Sequence, residues 1–512
     1  MKDRVICIHC LEELDPNLSR CSHCGNGTTR SKGVYSYIKR CEQRGTVPTA
    51  DFIARRYNVY LSSAQKILSA YYDDNLSNEL MNRNTLNTRI KKIRVSKLFN
   101  YLDYEIDLHD DFSIILAPNG FGKTTIFNFV NFILNPYIVI YDRYIKGVPF
   151  ESFEIELEDG KSLSFISQGD EGEYIFRISN LEESEIIRLP YGDEADEREY
   201  SDDVVKRNEG IRKMVEMLNK ASIYSDVFFI KTSRAFETPL SKNAYGNLLL
   251  GENYTARGRE QGQEERIDPM QSCNFDLISL MDSCKKEYQK LTEKVKNSLP
   301  EKFLKMNGPL ISPAESKAEW NKYKNRLDEL SQYGLIDAGN VSDFVNNLSE
   351  SEYSDVDNGK GAFLSLYVTE YKKTLEPFVD LYQKMKTFRE IINERNFGTK
   401  KHIEYTNSGI EYYNGKQKIR LESLSSGERN DFIMFFDMIF RTGEGSIILI
   451  DEPEISLHIN WQEKYIDNIE KALADKKCQV IISTHSPDII SSHDDYIVEL
   501  KLVSETEEGS DD

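Results

Sequence analysis

Four short stretches carry residue types whose spacing points to chemistry on a phosphate anhydride. The first is Ala117-Pro-Asn-Gly-Phe-Gly-Lys-Thr-Thr125, which follows the apolar run 112–116. A strand, a glycine-rich turn and a helix opening on Lys-Thr make a phosphate cradle. Asn119, Gly120 and Gly122 shape the turn, and the two glycines let backbone N–H groups point inward at anionic oxygens. Lys123 would neutralise the outer phosphates, the Thr124 hydroxyl would complete a Mg²⁺ shell, and Thr125 extends the helix start. The pattern usually opens on glycine; Ala117 stands there instead, tolerable unless that position needs positive φ.

The second stretch is Ser446-Ile-Ile-Leu-Ile-Asp-Glu-Pro453, an apolar strand ending in two carboxylates. In parallel sheets ligands sit at that strand end. Asp451 would hold Mg²⁺, directly or through water, and Glu452 would orient and deprotonate an attacking water. The third is Leu424-Ser-Ser-Gly-Glu428, where Ser425, Ser426 and Gly427 open a helix and turn free N–H groups outward; as bare text it reads equally as a helix cap. In the fourth, Ile481-Ile-Ser-Thr-His485-Ser-Pro, a histidine ends a second apolar strand where a terminal phosphate could be sensed. Ile230-Lys-Thr-Ser-Arg234 could bring a cation to the same edge, or pair with one of the many acids.

At the amino terminus Cys7-x-x-Cys10 and Cys21-x-x-Cys24 form two knuckles, the four-thiolate set of a closed structural Zn²⁺ site. Four of the eight cysteines fall in these first 24 residues, a grouping that in a reducing compartment indicates metal rather than disulfides. Residues 1–100 hold 17 Lys and Arg against 9 Asp and Glu, leaving 48 against 76 in the rest, so nucleic acid, if bound, would be met first by the basic N-terminal region. The start MKDRVICIHC lacks the apolar stretch of a signal peptide, and no run approaches the length of a membrane span. The expectation is a cytoplasmic protein without a membrane anchor.

Periodicity supplies the elements that must position these residues. Residues 1–30 read as a zinc ribbon and 31–88 as a small helical module, with helix-turn-helix spacing over 45–74 and an Asn-rich linker. In 89–200, segments 93–108 and 112–118 read as two strands, 119–136 as a helix, and 150–190 as an antiparallel array alternating apolar and polar residues. Residues 201–400 read as a helical insert broken by the polar loop 251–269, without a long heptad arm. In 401–512 strands return, then a helix, then the apolar strands SIILI and QVIIS, and an acidic tail.

The four stretches occur in the order that resembles the ABC-type ATPase heads of the SMC and RecF proteins. DEPEISLHINWQ (451–462) and STHSP (483–487) resemble stand-alone ATPases of bacterial anti-phage systems (Septu-like) and of the OLD group. The resemblance implies an α/β fold: an ABC-type ATPase head, with a mixed-sheet lobe, an antiparallel β subdomain and a helical insert, carrying the small N-terminal zinc-ribbon and helical appendage. It implies ATP and Mg²⁺ as ligands, hydrolysis with Lys123, Glu452 and His485 as the catalytic set, and Ser425, Ser426 and Gly427 touching ATP held by a second copy. The chain would then act as a homodimer or higher homo-oligomer. Ser456-Leu457-His458 falls where the family places its inter-subunit loop, with His458 where many members have Asp, and Gln168 is a candidate for the Q-loop although a hairpin turn suits it better. In OLD nucleases a Toprim domain often follows the head, and none follows His485 here, so a separate nuclease-type effector is expected. A RecF-like repair ATPase is the alternative. A self-contained nuclease built on Arg395 and His402 is the remaining one.

Overall fold

Strands that are apolar along their whole length can sit only in the middle of a sheet covered on both faces. In the computed structural model, which describes residues 89–118, 120–136, 144–169, 172–181, 184–189, 202–223, 227–231, 269–306, 311, 313–337, 360–395, 400–456, 459–490 and 493–502, two such strands form the centre of a five-stranded parallel sheet. Cys7, Cys10, Cys21 and Cys24 with the rest of 1–88, for which a zinc ribbon, a helical module and a linker are expected, the segment 251–268 and the tail beyond Leu502 lie outside the described residues. The chain divides into two units. One holds the described residues up to Gly262 together with Gly443–Ile455 and those from Asp475 onward; the other holds Gln263–Thr442 and Ser456–Ala474.

The first unit opens with a hairpin, β1 (Ile90–Leu98) and β2 (Leu102–Asp107), followed by β3 (Phe112–Leu116). The single strand expected over 93–108 is thus two. The chain reverses at Phe99 and Asn100, which take φ of 56° and 72°, and Asp103 closes the turn by accepting from Ser96 Oγ (3.0 Å) and Lys97 N (2.8 Å). The turn uses neither Gly nor Pro, and a lone Asn100 punctuates it only weakly. Those hydrogen bonds, led by the Lys97 amide, hold the Asp103 carboxyl below its ordinary range despite partial burial.

After α1 (Lys123–Leu134) come β4 (Ser152–Leu157), β5 (Ser162–Ser167), β6 (Glu173–Ile178) and β7 (Ser184–Arg188), the antiparallel array the alternation calls for. With β15 (Lys501–Leu502) they build a sheet of order β15-β2-β1-β4-β5-β6-β7. The helix α2 (Asp202–Lys220) leads to β8 (Val227–Lys231), and β12 (Ile447–Asp451), β13 (Gln479–Thr484) and β14 (Ile497–Glu499) complete the parallel sheet, order β14-β3-β13-β12-β8. The helix α1 is apolar around most of its circumference because it packs on both sheets. Phe129 stacks on Phe153 of β4 at 5.0 Å, and Phe127 meets Phe229 of β8 edge-on at 5.9 Å. Gln479 is a buried polar link to β1. Its Oε1 accepts from Ile90 N (2.8 Å) and its Nε2 donates to Ile90 O (2.7 Å) and His109 O (3.0 Å).

The second unit begins within the expected insert 201–400 and opens with α3 (Pro269–Leu304), α4 (Pro313–Gln332), α5 (Lys360–Thr374) and α6 (Val379–Arg395), whereas α2 and β8 belong to the first unit. A small antiparallel sheet follows, β9 (Lys401–Thr406), β10 (Gly409–Asn414) and β11 (Gln417–Ile419), then α7 (Ser426–Phe436), a π turn over Asp437–Arg441, and α8 (Tyr465–Leu473). Asn274 of α3 locks onto the β9–β10 turn, its Oδ1 accepting from Ile410 N at 2.7 Å. Gly409 is required beside it, since a Cβ there would lie 2.0 Å from that oxygen.

The Gln479 contacts yield a stability test. Gln479→Leu keeps the volume but leaves the buried amide and carbonyl of Ile90 without partners. The expected loss is about 2–4 kcal/mol, read as a lower midpoint in urea unfolding of the full chain; an unchanged midpoint would contradict it.

Candidate functional site

All described members of the expected catalytic set fall in the first unit, at the carboxyl-terminal edge of the parallel sheet. Register puts them there: Asp451 pairs with Ser483, Ser483 with Ile115, and Thr484 with Leu116, so β3, β13 and β12 end together. The phosphate loop leaves β3 at that edge. Gly120 and Gly122 have φ of 88° and 75°, the left-handed region that glycine enters at little cost. Gly122 is also the N-cap of α1, and a Cβ on it would come within 2.9 Å of Leu98 Cδ2, so the β1–β2 turn packs against the loop. Tyr104 Oη donates to Phe121 O (3.1 Å), fixing the loop from beneath; burial pushes this phenol up to about 12. Ala117 is not among the residues of positive φ, which removes the strain its Cβ would otherwise cause. Asn119 lies outside the described residues.

Lys123 is 5% exposed, and its ammonium donates to the carbonyls of Ala117 and, at 3.1 Å, Pro118, folding over the loop it follows. Thr124 and Thr125 form the first turn of α1. Thr124 Oγ1 donates to Asp451 Oδ2 at 2.6 Å, joining positions 327 residues apart in sequence, while Ser483 Oγ donates to Asp451 Oδ1 at 2.5 Å. A hydroxyl and a carboxylate this close are hard oxygen donors of the kind Mg²⁺ takes, so the residues present fit that ion. Glu452 follows with φ of 45°, uncommon for a side chain of its size, and its N–H donates to Ser483 O at 2.9 Å. Strain of order 1–3 kcal/mol at such a residue persists where the surroundings fix it, and here it sets the direction in which the carboxylate leaves the strand.

His485 stands just past β13, half-exposed. Its Nδ1 lies 2.8 Å from Glu454 Oε1, which also accepts from the His485 amide (2.9 Å), while Glu454 Oε2 accepts from Thr484 Oγ1 (2.9 Å). Glu454 and Ser483 were not read from the sequence as site residues. Their only signal was position: Glu454 three after Asp451, Ser483 at the end of the second apolar strand.

Ser425, Ser426 and Gly427 lie in the second unit. Ser425 caps α7: its Oγ accepts from Glu428 N (3.3 Å) while Glu428 Oε2 accepts from Ser425 N (2.8 Å), a reciprocal capping box. Burial raises the Glu428 carboxyl, but Lys401 at 2.6 Å and the Ser425 donors outweigh it and the net shift is downward. Ser426 and Gly427 form the first turn, Ser426 exposed. Asp431 on the buried side of α7 ion-pairs with Arg395, whose guanidinium lies 4.6 Å from the Phe435 ring centre.

Arg395 is therefore buried against an acid and an aromatic ring, whereas His402 sits on β9 beside Glu404 (3.2 Å), stacked on Tyr413. Arg395 is thus a buried ion-pair member, and His402 lies on a partly exposed strand face. Gln168 lies in the β5–β6 hairpin, its amide donating to Glu173 O. Lys231 ends β8 in register with Asp451; residues 232–234 and Leu457 and His458 lie outside the described residues. Among the described residues no helix is long and apolar enough to cross a membrane.

The chain belongs to the AAA ATPase domain family, whose model matches residues 89–490. It is an ATPase-type nucleotide-binding protein of mixed α/β fold. No curated protein matches it. Among solved structures it is similar to the Smc head domain with an extended coiled coil bound to the C-terminal domain of ScpA from Pyrococcus furiosus, at 13% identity and a TM-score of 0.34, covering 81% of this chain and 96% of that one. It is also similar to the Smc head bound to the C-winged helix domain of ScpA (12%, 0.34, 81% and 97%). A third is the Smc head domain with a coiled coil and joint from Pyrococcus yayanosii (15%, 0.32, 81% and 97%). The fold here is defined by its own strand order and register, not by these likenesses.

The Thr124–Asp451 pair gives a direct test. Thr124→Val keeps shape and removes the hydroxyl. Nucleotide affinity with Mg²⁺ should weaken by about tenfold or more, with little change when Mg²⁺ is chelated. Equal losses in both conditions, by calorimetry, would contradict a metal role.

Proposed function

We propose that this protein is an ABC-type ATPase that closes on ATP as a homodimer and controls a separate nuclease-type effector in an anti-phage defence complex. The observation that carries the ATPase mechanism is the bond between Thr124 and Asp451, which brings the phosphate loop and the carboxylate strand to one point. The left-handed Gly120 and Gly122 expose backbone N–H groups to the phosphates, and Lys123 exchanges its loop carbonyls for phosphate oxygens. Thr124 and Asp451 would hold Mg²⁺, which when bound would supply positive charge against the phosphates. Glu452 takes the proton of the attacking water, and His485 contacts the terminal phosphate from the end of β13.

Dimerisation rests on the resemblance to two-headed ATPases and on the character of the Ser425 helix start. The Ser425 cap belongs to a different unit from the phosphate loop and presents an exposed helix start, suited to the nucleotide of a second copy. The DEPEISLHINWQ and STHSP text and the paired N-terminal cysteines support the defence reading. Zn²⁺ at Cys7, Cys10, Cys21 and Cys24 would staple the basic appendage.

Glu452→Gln should bind ATP without turning it over and accumulate as dimer in analytical ultracentrifugation with ATP and Mg²⁺; Lys123→Ala should stay in its ATP-free state. Wild-type turnover surviving in Glu452→Gln would contradict the mechanism. Expressed with its neighbouring gene, the wild type should reduce phage plaque formation and Lys123→Ala should not; equal plating would leave the ATPase without a defence role.

A further inference from the structure

A carboxylate with only 8% of its side chain exposed must have its oxygens satisfied, and Glu454 is satisfied entirely by the residues that carry the histidine. It sits in the short turn Pro453–Ser456 directly after β12. Its Oε1 faces both His485 Nδ1 (2.8 Å) and the His485 amide (2.9 Å); its Oε2 takes the Thr484 hydroxyl (2.9 Å). Thr484 Oγ1 accepts in turn from Ser486 N at 3.0 Å, so the whole segment 484–486 is tied to this one side chain. Glu452 N reaches Ser483 O on the same pair of strands. The strand that ends in Asp451 and the strand that ends in His485 are thereby coupled at their tips.

We propose that Glu454 is the positioning residue for His485: it holds the ring with Nδ1 turned inward and Nε2 presented outward. An ionised carboxylate can only accept, so in the neutral ring the proton facing it resides on Nδ1. Nε2 is then the nitrogen left for an anion or water at the sheet edge, in a fixed direction. A free imidazole would sample both tautomers and several rotamers before reaching the same geometry. This inference rests on the ATPase reading for its kinetic consequence, but not for the ring state itself.

The test uses the full-length protein with Glu454→Ala and Glu454→Gln. Glutamine can still accept from Nδ1–H and from the amide, whereas alanine cannot. In ¹⁵N-histidine NMR, with the His485→Gln spectrum as assignment and at a pH of about 9 where imidazole is neutral, wild type and Glu454→Gln should show His485 protonated on Nδ1. Glu454→Ala should lose that signature. ATP turnover should follow: kcat in Glu454→Ala lower by about 10- to 100-fold with KM nearly unchanged, and most of it restored in Glu454→Gln. An Nδ1–H signal or wild-type kcat retained in Glu454→Ala would overturn the proposal, as would a Glu454→Gln variant as impaired as alanine. If the wild type itself failed to hydrolyse ATP, the ATPase reading would fall while the NMR comparison still decided the role of Glu454.

Discussion

One carboxylate organises the sheet edge. Asp451 receives the hydroxyls of Thr124 and Ser483 on its two oxygens, which ties the first turn of α1, the end of β12 and the end of β13 together. Buried at 7% exposure, it depends on those donors to remain where it is. The apolar centres of β3, β13 and β12 account for their burial, and their parallel register makes the three strands stop level. The glycine turn, Asp451 and His485 lie at one edge because the strands that carry them have the same end point.

The second unit solves a different problem. The helix α7 and the π turn that follows it are held at three places. The capping box of Ser425 and Glu428 fixes its first turn, with Lys401 of β9 pinning Glu428. One turn further on, Asp431 meets Arg395 from α6 in a buried ion pair. At the far end Arg441 in the π turn pairs with Asp437 (2.6 Å) and with Asp276 of α3 (2.6 Å). Breaking one member of a buried pair leaves a bare charge, so the Asp431–Arg395 pair ties α7 to α6.

Much of this was legible in the text because its signals are strong and local. Two runs of pure aliphatics ending in Asp-Glu and Ser-Thr-His admit few structures, and glycines two apart before Lys-Thr demand a phosphate-type turn. Residues 150–190 alternate cleanly and form the array expected. The hairpin at Phe99 and Asn100 was missed: it has no Gly or Pro, one of its positive φ values falls on a phenylalanine, and a lone Asn100 is a weak turn signal. The tie between Glu454 and His485 was equally hidden: partners 31 positions apart meet only because β12 and β13 are neighbours in register. The ion pair of Arg395 with Asp431 was likewise hidden, because its members come from different helices.

The central claim is that one copy's Lys123 and another copy's Ser425 act on the same triphosphate. Mixing two inactive variants, Lys123→Ala and Ser425→Arg, measures it most directly, because a mixed dimer rebuilds one intact composite site from the good half of each. The account predicts that ATP turnover, absent from either variant alone, returns in the mixture and follows the abundance of the mixed dimer. A mixture as inactive as its components, with mixed dimers demonstrably formed, would contradict it.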